Sequence, residues 1–250
     1  MTTAKIRTAK KPGAPKAHGT RNAPPGSAPA PTDDKRKSDA TRERILDATA
    51  LVLSREGFSG AKLIDIAREA QLKIATLYYY YPSREALVEA VLVTGSEHVR
   101  LHTQQTLDEL DPGCSAVDRL CAAVESHLRY VLEISNYTQA VIRNAGQVPE
   151  HIRAVLSQEI ANYGHLWQRL VDDAAEGTKF RTRTQRRALR LLILGGLNWS
   201  VEWWNTTHMP LDDLVFAAVA MTRATLQRAT PDSPTCCAGD QSGYARSMIF

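Results

Sequence analysis

Apolar residues along this chain recur at three- and four-residue intervals. No stretch sustains a two-residue alternation, so every element the pattern predicts is a helix. Ile45, Ala48, Val52 and Leu53 mark a first helix from Ser38, and Gly57 stops it as a glycine just past a helix end does. Leu63, Ile66, Ala67 and Ala70 mark a short second helix after the Ser59-Gly60 break. A third starts near Lys73 and ends at Pro82. Ser83 then caps a fourth that extends to about Val93, with Glu85 in its first turn. Short helices in tight succession predict one compact all-α unit.

Further along the helices lengthen. Val117, Leu120, Cys121, Val124, Leu128 and Val131 form one stripe. Ile152, Val155, Leu156, Ile160, Tyr163, Trp167 and Leu170 form another, opening after Pro149. A third long helix covers roughly Thr184 to Trp204, and a fourth Leu211 to Leu226 after Pro210. The fold class is all-α, a small unit of three short helices and the start of a fourth plus a larger helical domain. The expected division is 1–38 as an arm, 39–99 as the small domain, 100–228 as the large one and 229–250 as a flexible tail.

Charge changes the picture at the N-terminus. The whole chain carries a net charge of +4, yet residues 1–38 alone carry +7 and hold six of the twelve prolines. Almost no large apolar residue accompanies them, so this arm is expected to be disordered and, if it acts, to track nucleic-acid phosphates. The remaining residues sum to −3, unlike a nonspecific architectural DNA binder. The longest apolar run, Leu191 to Leu197, falls far short of a membrane span. Four cysteines form neither a disulfide framework nor a zinc pattern, and the basic leader lacks an apolar signal core. A soluble, cytoplasmic protein with no cofactor and no membrane partner is expected.

The third helix carries the most chemistry: Lys73-Ile74-Ala75-Thr76-Leu77-Tyr78-Tyr79-Tyr80-Tyr81. Four consecutive aromatics point in four directions, so one small core cannot bury them all. Leu77 and Tyr81 are expected to face inward, and Lys73, Thr76, Tyr79 and Tyr80 to share the opposite face. One cation, one hydroxyl and two phenols suit phosphate oxygens and base edges. A short helix, the Gln71-Leu72 turn and this second helix make a helix-turn-helix, whose second helix enters the major groove.

Residues 41–92 resemble the DNA-binding domain of the TetR family of transcriptional regulators, through RERIL, REGF, DIAREA, TLYYYY and PSREALVEAV in that order. The resemblance implies that Thr76, Tyr78 and Tyr79 contact phosphates or bases. It implies that Lys73, Ile74 and Ala75 set operator preference. Tyr80 and Arg84 are implied to reach the backbone, as is Lys62 at the start of the second helix. Three positions depart from the pattern. Ala61 stands where the family has threonine, and Gln71 where the turn has glycine. Ile74 replaces a polar residue, either to touch a thymine methyl or to pack inside.

For the larger domain the resemblance implies a homodimer through the last two long helices and a small-molecule effector. The local sequence agrees, since Ala188 to Leu197 is apolar on more than one face and includes Gly195 and Gly196. Asn198-Trp199-Ser200-Val201-Glu202-Trp203 resembles an NWxxxW signature of a TetR subset, some of whose members sense acyl-CoA thioesters. Trp199 and Trp203 read as interface packing. His127, Tyr163, Trp167 and Asn198 are the candidate ligand contacts, although periodicity does not separate pocket lining from core. His98 and His102 share a helix face without further clear ligands, and no GxSxG, P-loop or GxGxxG is present, so no enzyme is expected. The expected function is a ligand-released repressor binding a palindromic operator; the alternative is a helical binding protein or enzyme that no longer binds DNA.

Overall fold

The computed structural model describes residues 33–227, and these residues are helices and connecting turns without a strand. The helices are α1 (Asp33–Gly60), α2 (Leu63–Glu69), α3 (Ile74–Tyr80), α4 (Arg84–Asp108), α5 (Ala116–Arg129), α6 (Asn136–Asn144), α7 (Glu150–Ala174), α8 (Arg183–Trp203) and α9 (Leu211–Thr225). A π turn, Tyr130–Ile134, joins α5 to α6. Residues 33–38, expected in the arm, belong to α1; Lys and Arg are good helix formers, and the arm's last proline, Pro31, lies before the helix start. Residues 1–32 and 228–250 lie outside the described residues, and with them most of the arm, the tail and Cys236-Cys237.

Two apolar cores organise the chain. The first gathers Ile45 and Leu53 of α1, Ile66 of α2, Leu77 of α3 and Leu87 and Val91 of α4. Ala140, Val141, Ile152 and Leu156, from α6 and the start of α7, complete it, so the small domain shares its core with the large one. The second joins Leu120 and Val124 of α5, Trp167 and Leu170 of α7, Leu189 and Leu197 of α8 and Leu211 and Val215 of α9.

Three features differ from the sequence expectation. The fourth helix, expected to end near Val93, runs on to Asp108 and carries the small domain into the large one. Its polar stretch Thr94-Gly95-Ser96 is where α6 crosses. A Cβ added at Gly95 would lie 2.6 Å from the Tyr137 carbonyl oxygen, so only glycine permits the approach. Helix α6 itself, assigned to no element by the apolar pattern, is capped by the Ser135 side chain, which accepts from Thr138 N–H. Arg84 turns inward. Its Nε donates to the Ala61 carbonyl at 2.7 Å, its Nη2 to that of Phe58, and the guanidinium lies 4.4 Å above the Phe58 ring. It ties the end of α1 to α4, with Nε and Nη2 directed at backbone carbonyls and Nη1 3.7 Å from Glu85 Oε1. Ser83 accepts from Ala86 N–H at 3.0 Å and caps α4 as expected.

Candidate nucleic-acid interface and helical cavity

Helix α3 is too short to persist alone in water, so packing holds it. Leu77, 1% exposed, is its buried peg and contributes roughly 2 kcal/mol through burial. Ile74, Tyr80 and Tyr81 lie half-buried against the same core. Before the helix, Gln71 takes φ of 54°, in the left-handed region where a side chain costs roughly 1–2 kcal/mol. That turn reverses the chain from α2 into α3, and Leu72 N–H closes it on the Ala67 carbonyl at 2.9 Å.

The outward face of α3 is rotated from the one expected. Ala75, Tyr78 and Tyr79, at spacings of three and four, point away from Leu77; Tyr78 is 53% and Tyr79 83% exposed. Lys73, at the N-cap position, and Lys62, at that of α2, are exposed beside them, and Thr76 is half-buried at the edge. Tyr80 is not on the open face. Its ring meets Tyr79 edge-on at 5.2 Å, and the Arg42 guanidinium of α1 lies 6.0 Å over it. Tyr80 therefore braces Tyr79, Ile74 packs inside, and Ala61 is buried. Arg42 escaped the sequence reading because its partner sits on another helix.

A cavity of about 1080 Å³ lies where α4, α5, α6, α7 and α8 meet the end of α1, with Ser54 to Gly57 in its lining. His127, Tyr163 and Asn198, on three different helices, meet at its wall. His127 Nδ1 is 2.9 Å from Tyr163 Oη, and Nε2 is 3.0 Å from the Asn198 side-chain amide at Oδ1. Tyr163 Oη is in turn 3.0 Å from Thr103 Oγ1. Trp167 does not line the cavity. It is fully buried in the second core, and its ring stands edge-on to His127 at 5.9 Å and to Tyr163 at 6.1 Å. The lining is more polar than the apolar stripes suggest. Arg143 pairs with Glu202 at 2.9 Å, Arg100 with the lining Glu159 at 3.0 Å, and Arg190 donates to the Gly164 carbonyl at 3.3 Å.

Arg143, which sequence reasoning missed together with α6, also donates to the Ser54 carbonyl of α1 and the Val201 carbonyl of α8. One side chain thus connects the cavity wall to the helix that supports α3. Beside it, Asn144 Nδ2 donates to the Leu53 carbonyl at 3.1 Å.

Burial pushes the His127 imidazole down from 6.5 to about 4 and the Tyr163 phenol up to about 12. A depressed histidine contributes stability above its unfolded value and loses it as pH falls, because the unfolded chain takes up the proton first. Between pH 6.5 and 5 the loss is about 2 kcal/mol. Urea unfolding of the wild type and His127→Gln across this window measures the difference; the variant is expected to lack that part of the pH slope, and parallel slopes would refute the buried neutral imidazole.

Helices α8 and α9 each leave large apolar side chains exposed. Leu192 (75% exposed), Trp199 and Trp203 lie along α8, and Phe216 and Met221 along α9. A Cβ added at Gly195 or Gly196 meets nothing within 4 Å. Neither glycine is required by packing among the described residues. His98 rests near Tyr137 at 6.0 Å and His102 stacks on Tyr130 at 4.4 Å. No group of three or more metal-ligating side chains gathers among the described residues, and no helix there is long and apolar enough to cross a membrane.

Residues 45–91 match the family model described as bacterial regulatory proteins, tetR family, and residues 113–222 match that of the tetracyclin repressor-like C-terminal domain. A transcriptional repressor of Pseudomonas putida, NicS, is 36% identical over 81 residues, 30% of this chain and 36% of that protein. The matched part spans 36 to 44% of the first curated relatives. Among solved structures, AibR in complex with isovaleryl coenzyme A and operator DNA is similar at a TM-score of 0.65 and 17% identity, over 72% of this chain and 97% of that one. FadR of Bacillus subtilis in complex with stearoyl-CoA is similar at 0.60 and 16%, over 74% and 99%.

Proposed function

Because the chain belongs to the TetR family of regulators, we propose that it is a repressor that grips a palindromic operator as a homodimer and lets go when a small, largely apolar ligand fills the helical cavity. The observation that carries this reading is the outward face of α3. A helix held by one buried leucine presents Ala75, Tyr78 and Tyr79 on one side, with Lys73 and Thr76 at its margin. Tyr78 and Tyr79 supply donors to phosphate or base edges, the Ala75 methyl suits a thymine methyl, and Lys62 and Lys73 neutralise phosphate. Ile74, Tyr80 and Arg84 hold this surface in place rather than reading DNA.

The open faces of α8 and α9 support the dimer. A self-complementary apolar patch is what a two-fold interface needs, and the unhindered glycines allow helices to approach closely. Two recognition helices then reach successive major grooves about 34–36 Å apart.

The effector site is the cavity with His127, Tyr163 and Asn198 at its wall. An acyl thioester is the first candidate, on the NWxxxW resemblance and on the acyl-CoA complexes named for AibR and FadR. Arg143 links this cavity to α1, so a ligand that disturbs Arg143 has a direct route to the DNA-reading helices. Coupling is reciprocal: a ligand that lowers operator affinity must itself bind less tightly to the DNA-bound protein, typically by about 5- to 150-fold. Titrating a graded series of acyl-CoA esters against the operator complex tests this. Progressive release supports the effector reading; operator affinity unchanged by every ester that binds would leave a constitutive DNA binder.

A further inference from the structure

The wall of the cavity carries an unbroken polar chain whose hydrogens can be counted. It runs from α4 through α7 and α5 to α8. Thr103 Oγ1 lies 2.9 Å from the Val99 carbonyl and 3.0 Å from Tyr163 Oη; Tyr163 Oη lies 2.9 Å from His127 Nδ1, and His127 Nε2 3.0 Å from the Asn198 amide. Each of these contacts needs one hydrogen between its two heavy atoms.

The two hydroxyls and a neutral imidazole bring one hydrogen each. With the Asn198 oxygen facing His127, one contact is left as two lone pairs held at hydrogen-bond distance. A charged imidazolium would supply the missing hydrogen, but burial keeps His127 neutral down to about pH 4. Turning the Asn198 amide supplies it without any charge. Nδ2–H then donates to His127 Nε2, and His127 Nδ1–H to Tyr163 Oη. Tyr163 donates to Thr103 Oγ1, and Thr103 to the Val99 carbonyl. Every contact is satisfied, and all the donors point the same way along the chain. Amide orientation is decided by networks of this kind.

The turn has a consequence for the cavity. Asn198 borders it, and its side chain makes no hydrogen bond within the described residues other than the one to His127. The other amide atom is not among the buried, unpartnered ones, so it is accessible, on a residue that lines the cavity. We infer that Asn198 presents its carbonyl oxygen there, and that the cavity selects ligands whose polar group donates a hydrogen bond, such as a hydroxyl or an amide N–H on an apolar body. This rests on the reading of the cavity as the effector site. A thioester carbonyl only accepts, so an acyl-CoA would meet Asn198 through an N–H or O–H of its carrier arm.

Two measurements on the full chain test the inference. Long-range proton–nitrogen correlation of the histidine side chains at neutral pH, assigned through His127→Gln, reads the tautomer directly. The expected result is hydrogen on Nδ1 with Nε2 bare; hydrogen on Nε2, or on both nitrogens, overturns the network. Binding of decanol, its methyl ether and the isosteric methyl ketone, followed by the fluorescence of the cavity-lining Trp199, reads the selectivity. Decanol should bind about 10-fold tighter than the other two, the value of one hydrogen bond, and Asn198→Ala should abolish the difference. Equal binding, a preference for the ketone or binding of none overturns the selectivity. If decanol and the ketone released operator equally, the effector reading would stand and the donor preference alone would fall.

Discussion

Gly196→Arg is expected to convert the proposed dimer to a monomer while leaving each chain folded. The two halves of this result have separate causes. Within one chain the Gly196 Cβ site is open, with nothing within 4 Å, and replacing a mid-helix glycine gains roughly 1 kcal/mol of helix propensity. Thermal stability of the isolated chain should therefore hold or rise. Across the proposed interface the new guanidinium would be buried beside Leu192, Trp199 and their copies with no anion to meet. An uncompensated buried charge costs about 3–5 kcal/mol, enough to dissociate most dimers at micromolar concentration. Sedimentation should show the mass of one chain in place of two, and operator affinity should collapse with it. Added positive charge cannot repel DNA, so lost binding would trace to assembly. Gly196→Ala is the control and should stay dimeric; an Arg variant that remained a dimer would move the interface elsewhere.

Tyr79→Ala and Thr76→Ala should each weaken specific operator binding by about 1–3 kcal/mol, which is roughly 5- to 150-fold. Tyr79 is 83% exposed, so its truncation removes little packing, and unchanged helicity by circular dichroism separates lost contact from lost fold. Lys73→Ala should behave differently, lowering affinity for every duplex and flattening the salt dependence by about one unit of slope. If both tyrosine and threonine variants bound the operator like wild type, the recognition surface would lie elsewhere. Tyr80→Ala is informative for the opposite reason. Tyr80 props Tyr79 from behind, so its effect should vanish in a Tyr79→Ala background.

The elements that could be read from the sequence are those whose evidence is local. Leu77 and the run from Tyr78 to Tyr81 state their own conflict, since one small core cannot take all of them inward. Ser83 followed by Glu85 announces a helix start. The stripes of α7, α8 and α9 are long enough for the period to be plain. His127, Tyr163 and Asn198 were reachable as polar residues on apolar stripes, each in need of a partner. That they would find one another could not be read, because the meeting depends on how α5, α7 and α8 cross.

The departures from the sequence expectation share a cause. Arg84 reads as a free cation from its neighbours in sequence, whereas its acceptors are carbonyls more than twenty residues away. Trp167 lies on the same stripe as Tyr163 but one turn deeper, so it supports the cavity wall instead of forming it. Helix α6 offers only one short run of apolar residues, Ala140 and Val141 in the first core, and the hydrogen bonds of Asn144 and Thr138 and the glycine-permitted crossing at Gly95 add to it. The face of α3 was misjudged by a fraction of a turn, because Tyr80 looks exposed until Arg42 and Tyr79 are placed against it.

On the proposed function, this chain reads a specific DNA sequence with a pair of α3 helices. Competition binding of the full chain to the DNA upstream of its own coding sequence, against random duplex of equal length at physiological salt, tests it most directly. A palindromic site is expected to be bound by one dimer at least about 1000-fold more tightly than random DNA, with the margin sharply reduced in Tyr79→Ala. Equal affinity for both duplexes, or a margin that Tyr79→Ala leaves untouched, would contradict it.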